Sequence, residues 1–147
     1  MSAAVTLGLL FFLSVGLNEQ LAEGCSCYPA TFQQMFCSSD IVIQVEVTGE
    51  KIIHKATNIP GMGKIQYEIQ VIKVFKGVDR TKKIQHVYTR EMSSLCGTRL
   101  RHEQYLLFGR ITSEGVFISL CSKPVLWDRL SLIKKWSLKY RYLLGCN

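Results

Sequence analysis

The sequence has no H-E-x-x-H run and no G-x-S-x-G run, so the usual settings for zinc-protease and serine-hydrolase chemistry are missing. Histidine is scarce. His54, His86 and His102 are scattered along the chain, and the isolated His102-Glu103 pair reads as a solvated turn rather than a general base. No two cysteines are spaced C-x-x-C, which disfavours a resident zinc site. No clear aromatic platform for stacked bases is present, which argues against a nucleic-acid reader. Internal repeats and low-complexity segments are also absent. After the first apolar run no stretch approaches the roughly 20 apolar residues that crossing a bilayer requires. These absences together disfavour an enzyme, a nucleic-acid-binding protein and a membrane-spanning protein.

Residues 3–17 are almost wholly apolar and are followed by Asn18-Glu19-Gln20. Ala22 and Gly24 then stand three and one before Cys25, the small-residue pattern that signal peptidase requires. No Lys or Arg precedes the run, but it is too short for a membrane anchor. The expectation is a signal peptide over 1–24, secretion, and a single domain over 25–147 that begins at Cys25 with a free α-amine.

All six cysteines (Cys25, Cys27, Cys37, Cys96, Cys121, Cys146) lie in that domain. An even count in an oxidising compartment reads as three disulfides, with 15 connectivities open. The 18 Lys and Arg all lie after residue 24, whereas Glu19 and Glu23 precede it, so the processed chain is more basic than the +7 of the whole. Outside a cell such charge suits sulfated polysaccharide or an anionic surface better than nucleic acid.

Five β-rich runs follow: 41–47, 65–75, 84–89, 105–111 and 116–120. The first begins as an unbroken apolar stretch and then alternates; the second alternates throughout. Gly61-Met62-Gly63 marks the tip of a hairpin between them. A short helix is expected over 31–36. Near the C-terminus, Asp128 is expected to cap a helix with Leu130, Ile133 and Trp136 toward the core and Lys134, Lys135, Lys139 and Arg141 on a solvated back. Five strands with peripheral helices predict a mainly β fold, a small five-stranded OB-like barrel.

Particular residues now carry a resemblance. Cys25-Ser26-Cys27, Pro29, Phe36-Cys37, Ser39-Asp40-Ile41-Val42-Ile43 and Val74-Phe75-Lys76-Gly77 are among them. Ser94-Leu95-Cys96-Gly97, Tyr105-Leu106-Leu107, Gly109-Arg110, Trp127-Asp128 and the closing 140–147 complete the match. Over 25–147 the chain resembles the N-terminal, netrin-like inhibitory domain of the tissue inhibitors of metalloproteinases, as a single-domain form nearest the matrix-bound third vertebrate subtype.

The resemblance implies disulfides Cys25–Cys96, Cys27–Cys121 and Cys37–Cys146. It implies a secreted, monomeric inhibitor of zinc metalloendopeptidases with no cofactor of its own. The Cys25 α-amine and carbonyl would chelate the catalytic zinc of the target, and Ser26 would enter the mouth of its specificity pocket. Cys27, Tyr28, Ser38, Ser93, Ser94 and Leu95 would complete the contact ridge, with peripheral contacts from residues 59–64. Tyr28, Thr31-Phe32 and Ser93 depart from the residues common in the family. Charge and likeness to the third subtype also suggest a sulfated-glycan patch of Lys51, Lys55, Lys73, Lys76, Arg80, Lys82 and Lys83. The alternative function is a non-inhibitory netrin-like module that binds matrix or sulfated glycans.

Overall fold

In a computed structural model, which describes residues 25–54, 62–77 and 84–146, six strands form one sheet. They are β1 (Ile41–Ile53), β2 (Lys64–Lys76), β3 (His86–Arg90), β4 (Gln104–Thr112), β5 (Gly115–Phe117) and the two-residue β6 (Val125–Leu126). The order is β1-β2-β3-β5-β4-β6, and an added β1–β4 pairing closes five strands into a ring. All pairings are antiparallel except β3–β5. The expected OB-like barrel with three disulfides is therefore present.

The change of pattern within β1 has a packing cause. Successive side chains of a strand point to opposite faces. Ile41, Ile43, Val45 and Val47 enter the barrel with Ile65, Tyr67, Val87, Tyr105 and Leu107. Val42, on the outer face, lies in a second core with Phe36, Phe75, Leu106, Phe108, Leu130 and Leu138. Beyond Val42 the outward positions become polar, and from Glu46 onward they are no longer buried. The same two-sided burial explains Tyr105 to Phe108 in β4, where inner and outer residues alternate between the two cores.

The second layer is built from the two helices. Helix α1 spans Phe32–Ser38, with Thr31 as N-cap in a capping box with Gln34. Its C-terminal end is held by Lys76, whose Nζ donates to the carbonyl oxygens of Phe36 and Cys37 at 2.9 and 2.8 Å. The Cys37–Cys146 bridge and the Gln33 Nε2–Tyr142 O hydrogen bond (2.8 Å) then tie α1 to the C-terminal segment.

Helix α2 spans Leu132–Tyr140 and corrects the sequence reading in two ways. Its cap is Ser131, whose hydroxyl accepts from the Lys134 N–H; Asp128 instead sits in a separate 3-10 turn, Trp127–Arg129. The helix is also turned relative to expectation. Ser137 and Leu138 face the core, while Ile133 and Trp136 are 76% and 52% exposed. Leu130 is buried as expected, but it precedes the helix. Two of the basic side chains pack over aromatic rings: Lys134 Nζ is 5.1 Å from the Phe32 centroid and Lys135 Nζ 5.0 Å from that of Trp127.

Strand ends shift by small amounts for local reasons. The run expected over 116–120 leaves the sheet after Phe117, because Ser119 caps a 3-10 turn, Leu120–Ser122, that carries Cys121. Of the tip expected between β1 and β2, Met62 and Gly63 are described and lead into the antiparallel β1–β2 pair, whereas Gly61 lies outside the described residues, as does the whole of 1–24.

Candidate functional site

Residues 25–31 have no regular secondary structure, and Ser26, Cys27 and Tyr28 are exposed, Tyr28 almost completely. What fixes this segment is covalent. Cys25 is bridged to Cys96 and Cys27 to Cys121, with Cα–Cα separations of 5.1 and 5.3 Å. Residues two apart in an extended chain project to one side, so both staples reach the same shoulder of the barrel. The bridges lie against one another, with Cys121 Sγ 3.7 Å from Cys25 Sγ and 3.9 Å from Cys96 Sγ.

Each anchor is itself held. Cys96 closes the 3-10 turn Ser93–Leu95 and adopts a left-handed conformation with φ 64°. The Met92 carbonyl accepts from both Leu95 N and Gly97 N at 3.1 Å, and the Cys96 carbonyl accepts from Leu120 N at 2.8 Å. That last bond joins the two anchor turns directly. Gly97 permits the turn, since a Cβ there would collide with the Arg90 carbonyl oxygen. On the other side, Ser119 and Ser122 form a capping box around Cys121.

The structure thus brings the expected Ser93, Ser94 and Leu95 beside Cys25 through the Cys25–Cys96 bridge. Ser93 and Leu95 are exposed and Ser94 is half-buried. Ser38, the exposed last residue of α1, lines the same depression as Leu95, Cys96 and Cys121, a cavity of about 530 Å³ floored by Phe108 and Ile118. Sequence reasoning did not pick out Ala30, Met92 or Leu120. Ala30 lines that cavity, while Met92 and Leu120 are exposed apolar residues on the two anchor turns. Their one signal in the sequence is nearness to bridging cysteines.

The chemistry open to this tip is narrow. The sulfurs of Cys25, Cys27 and Cys121 lie within 4.8 Å of one another, a spacing that thiolates use to hold a metal, yet all are in disulfides and carry no thiolate. The donors left at the tip are main-chain nitrogen and oxygen and the hydroxyls of Ser26 and Tyr28. Among the described residues no main-chain hydrogen bond engages residues 25–30.

The glycan candidates are not gathered in the same way. Lys55, Arg80, Lys82 and Lys83 lie outside the described residues. Lys51 pairs with Gln66 and Lys73 with Gln44, seven residues apart along β1, or about 23 Å at strand rise. Lys76 is half-buried and committed to the end of α1.

Comparison with known proteins adds the rest. The family model described as "Tissue inhibitor of metalloproteinase" matches residues 23–147. Metalloproteinase inhibitor 3 of Scyliorhinus torazame is 36% identical over 148 residues, covering 99% of this chain and 67% of its own length. Metalloproteinase inhibitor 4 of Mus musculus is 46% identical over 130 residues, covering 85% of this chain and 58% of its own. Metalloproteinase inhibitor 3 of Gallus gallus is 36% identical over 140 residues, or 94% of this chain and 64% of its own. The chain therefore spans about three-fifths to two-thirds of the length of these relatives.

Proposed function

Because the chain belongs to the tissue inhibitor of metalloproteinase family, we propose that it inhibits zinc metalloendopeptidases from the Cys25 tip. On this reading the protein is secreted and processed after Gly24, and Cys25 supplies a free α-amine. A catalytic zinc keeps one position open. The amine and carbonyl of Cys25 would together take that position, in a five-membered chelate on the enzyme's own metal. The amine donates only when neutral, and an unperturbed α-amine has a pKa of about 7.7–8.0. Ser26 would occupy the mouth of the specificity pocket. No peptide bond of the inhibitor would lie across the metal, so the inhibitor would not be cut.

The observation that carries the proposal is the double staple: Cys25 and Cys27, bridged to two turns that are themselves hydrogen-bonded together. A tip so held loses little conformational entropy on docking, and preorganisation of this kind raises affinity without new contacts. Ser93, Ser94, Leu95, Ser38 and the exposed Tyr28 would extend the ridge.

An insertion tests the mechanism. The purified protein, its N-terminus read by sequencing, is compared with a form carrying one Ala ahead of Cys25, against a panel of matrix and cell-surface metalloproteinases. The expected outcome is a loss of inhibition of at least roughly a hundredfold, since two metal–ligand bonds are removed. Equal potency of the two forms would sink the chelation mechanism. If neither inhibited any protease, a netrin-like module binding matrix or sulfated glycans would replace inhibition as the reading.

A further inference from the structure

The exposed side of α2 is the feature that inhibition does not use. Leu132, Ile133, Trp136 and Tyr140 fall on one face of the helix, with buried Leu138 opposite, and Leu132 is 82% exposed. Trp136 and Tyr140 pack on each other with centroids 5.4 Å apart. Leu143 and Leu144, in the segment after the helix, are exposed as well. Scattered exposed apolar residues are ordinary, but a contiguous group with an aromatic pair marks a contact surface.

Beside this face lies an open groove of about 390 Å³ that Trp136 and Tyr140 share with Lys73, Lys135 and Lys139. Among the described residues the one ion pair is Lys64–Glu114, so none of these three lysines has a carboxylate within 4 Å. Lys73 and Lys139 line the same groove, and the neighbouring Lys139 lowers the affinity of Lys73 for a proton. Ammonium groups that line one groove with no counter-ion among the described residues form a seat for an anion.

We propose that this face of α2 docks on an anionic phospholipid surface, with the three lysines on lipid phosphates and Leu132, Ile133 and Trp136 in the acyl boundary. Charge complementarity together with the residue types favours this occupant. Trp and Tyr rings belong at the membrane–water boundary, and lysine stems lie along apolar surface with their charge in the headgroups. A protein partner would have to bring both carboxylates and an apolar patch, whereas a bilayer of anionic lipid offers the two in layers at the right order of depth. No described helix is long and apolar enough to cross a membrane, so the helix would lie on the surface. The inference stands independently of protease inhibition.

The test is flotation of the purified secreted protein with vesicles of phosphatidylcholine alone or mixed with phosphatidylserine. Binding is expected only to the mixed vesicles, with a blue shift of tryptophan emission, and it should weaken as salt is added. The pairs Ile133→Ser/Trp136→Ser and Lys73→Gln/Lys139→Gln should each reduce partitioning roughly tenfold while near-UV circular dichroism is unchanged. Should a variant fail to fold, quenching of Trp136 by brominated lipid in a Trp127→Phe background reads the same contact. Equal binding to neutral vesicles, no response to either pair, or no quenching would overturn the proposal. It would also fall if the chain formed a dimer abolished by the serine pair, or bound sulfated glycan but not vesicles.

Discussion

Tyr67 and Tyr105 show how single side chains hold the shape that the site depends on. Tyr67 is fully buried, and its hydroxyl accepts from the Leu100 N–H at 2.9 Å; Tyr105 does the same for Arg101 at 3.0 Å. Together they fasten the segment leading from the Cys96 turn into β4. Burial, the dominant cause, raises the Tyr67 hydroxyl above its ordinary pKa of 10.0, against the opposing pull of the Leu100 N–H. The unfolded tyrosine titrates first, so the stability Tyr67 contributes is fully present below pH 10 and is lost as pH rises through the folded value. Tyr67→Phe leaves a buried N–H without its partner and should cost about 1–3 kcal/mol. Urea unfolding at neutral pH should show that loss, and the gap between the two proteins should narrow above pH 10. A constant gap across alkaline pH would contradict the assignment.

Helix α1 and strand β2 depend on each other through one lysine. Lys76 satisfies two carbonyl groups at the end of α1, where the last turn has no partner of its own. Lys76→Met keeps the apolar stem but drops the charge. It should lower stability by about 1 kcal/mol, discounted for a half-exposed site, without changing retention on heparin. A fall in retention with stability intact would instead make Lys76 a glycan contact. Element by element, legibility followed the number of layers around a segment. In β1 and β4 the change from continuous to alternating apolar residues recorded two packed faces, and the strands were readable. Helix α2 differs from expectation because its sequence puts Ile133 and Trp136 at core spacing, and nothing local says which side the barrel occupies. The tip was readable only through resemblance. Spacing alone left 15 pairings open, and the contacts at Met92 and Leu120 come from tertiary packing of two distant turns.

For the whole molecule, the three bridges close loops of 71, 94 and 109 residues, each joining the ends of the chain to its middle or to one another. In a chain-entropy account such loops are each worth about 4–5 kcal/mol, and less when they overlap as these do. A domain of this size has a net stability of about 5–15 kcal/mol. Full reduction should therefore unfold the barrel cooperatively, with near-UV circular dichroism and protease inhibition disappearing at the same reductant concentration. Retention of the barrel after all six thiols are free would show that the two cores suffice alone. If inhibition disappeared first, the tip bridges would be the more reducible.

The order in which the chain is made gives the double staple one more consequence. Cys25 and Cys27 emerge early in synthesis, yet their partners arrive 71 and 94 residues later. The tip is the first part of the domain to be made and among the last to acquire its shape. Until Cys121 has emerged and its turn has docked on Cys96, residues 25–31 are an unfixed peptide, with neither helix nor strand to organise them. A fixed tip thus reports that the chain has been made at least as far as Cys121. Fragments that end before Cys121 would carry the tip's sequence without its geometry.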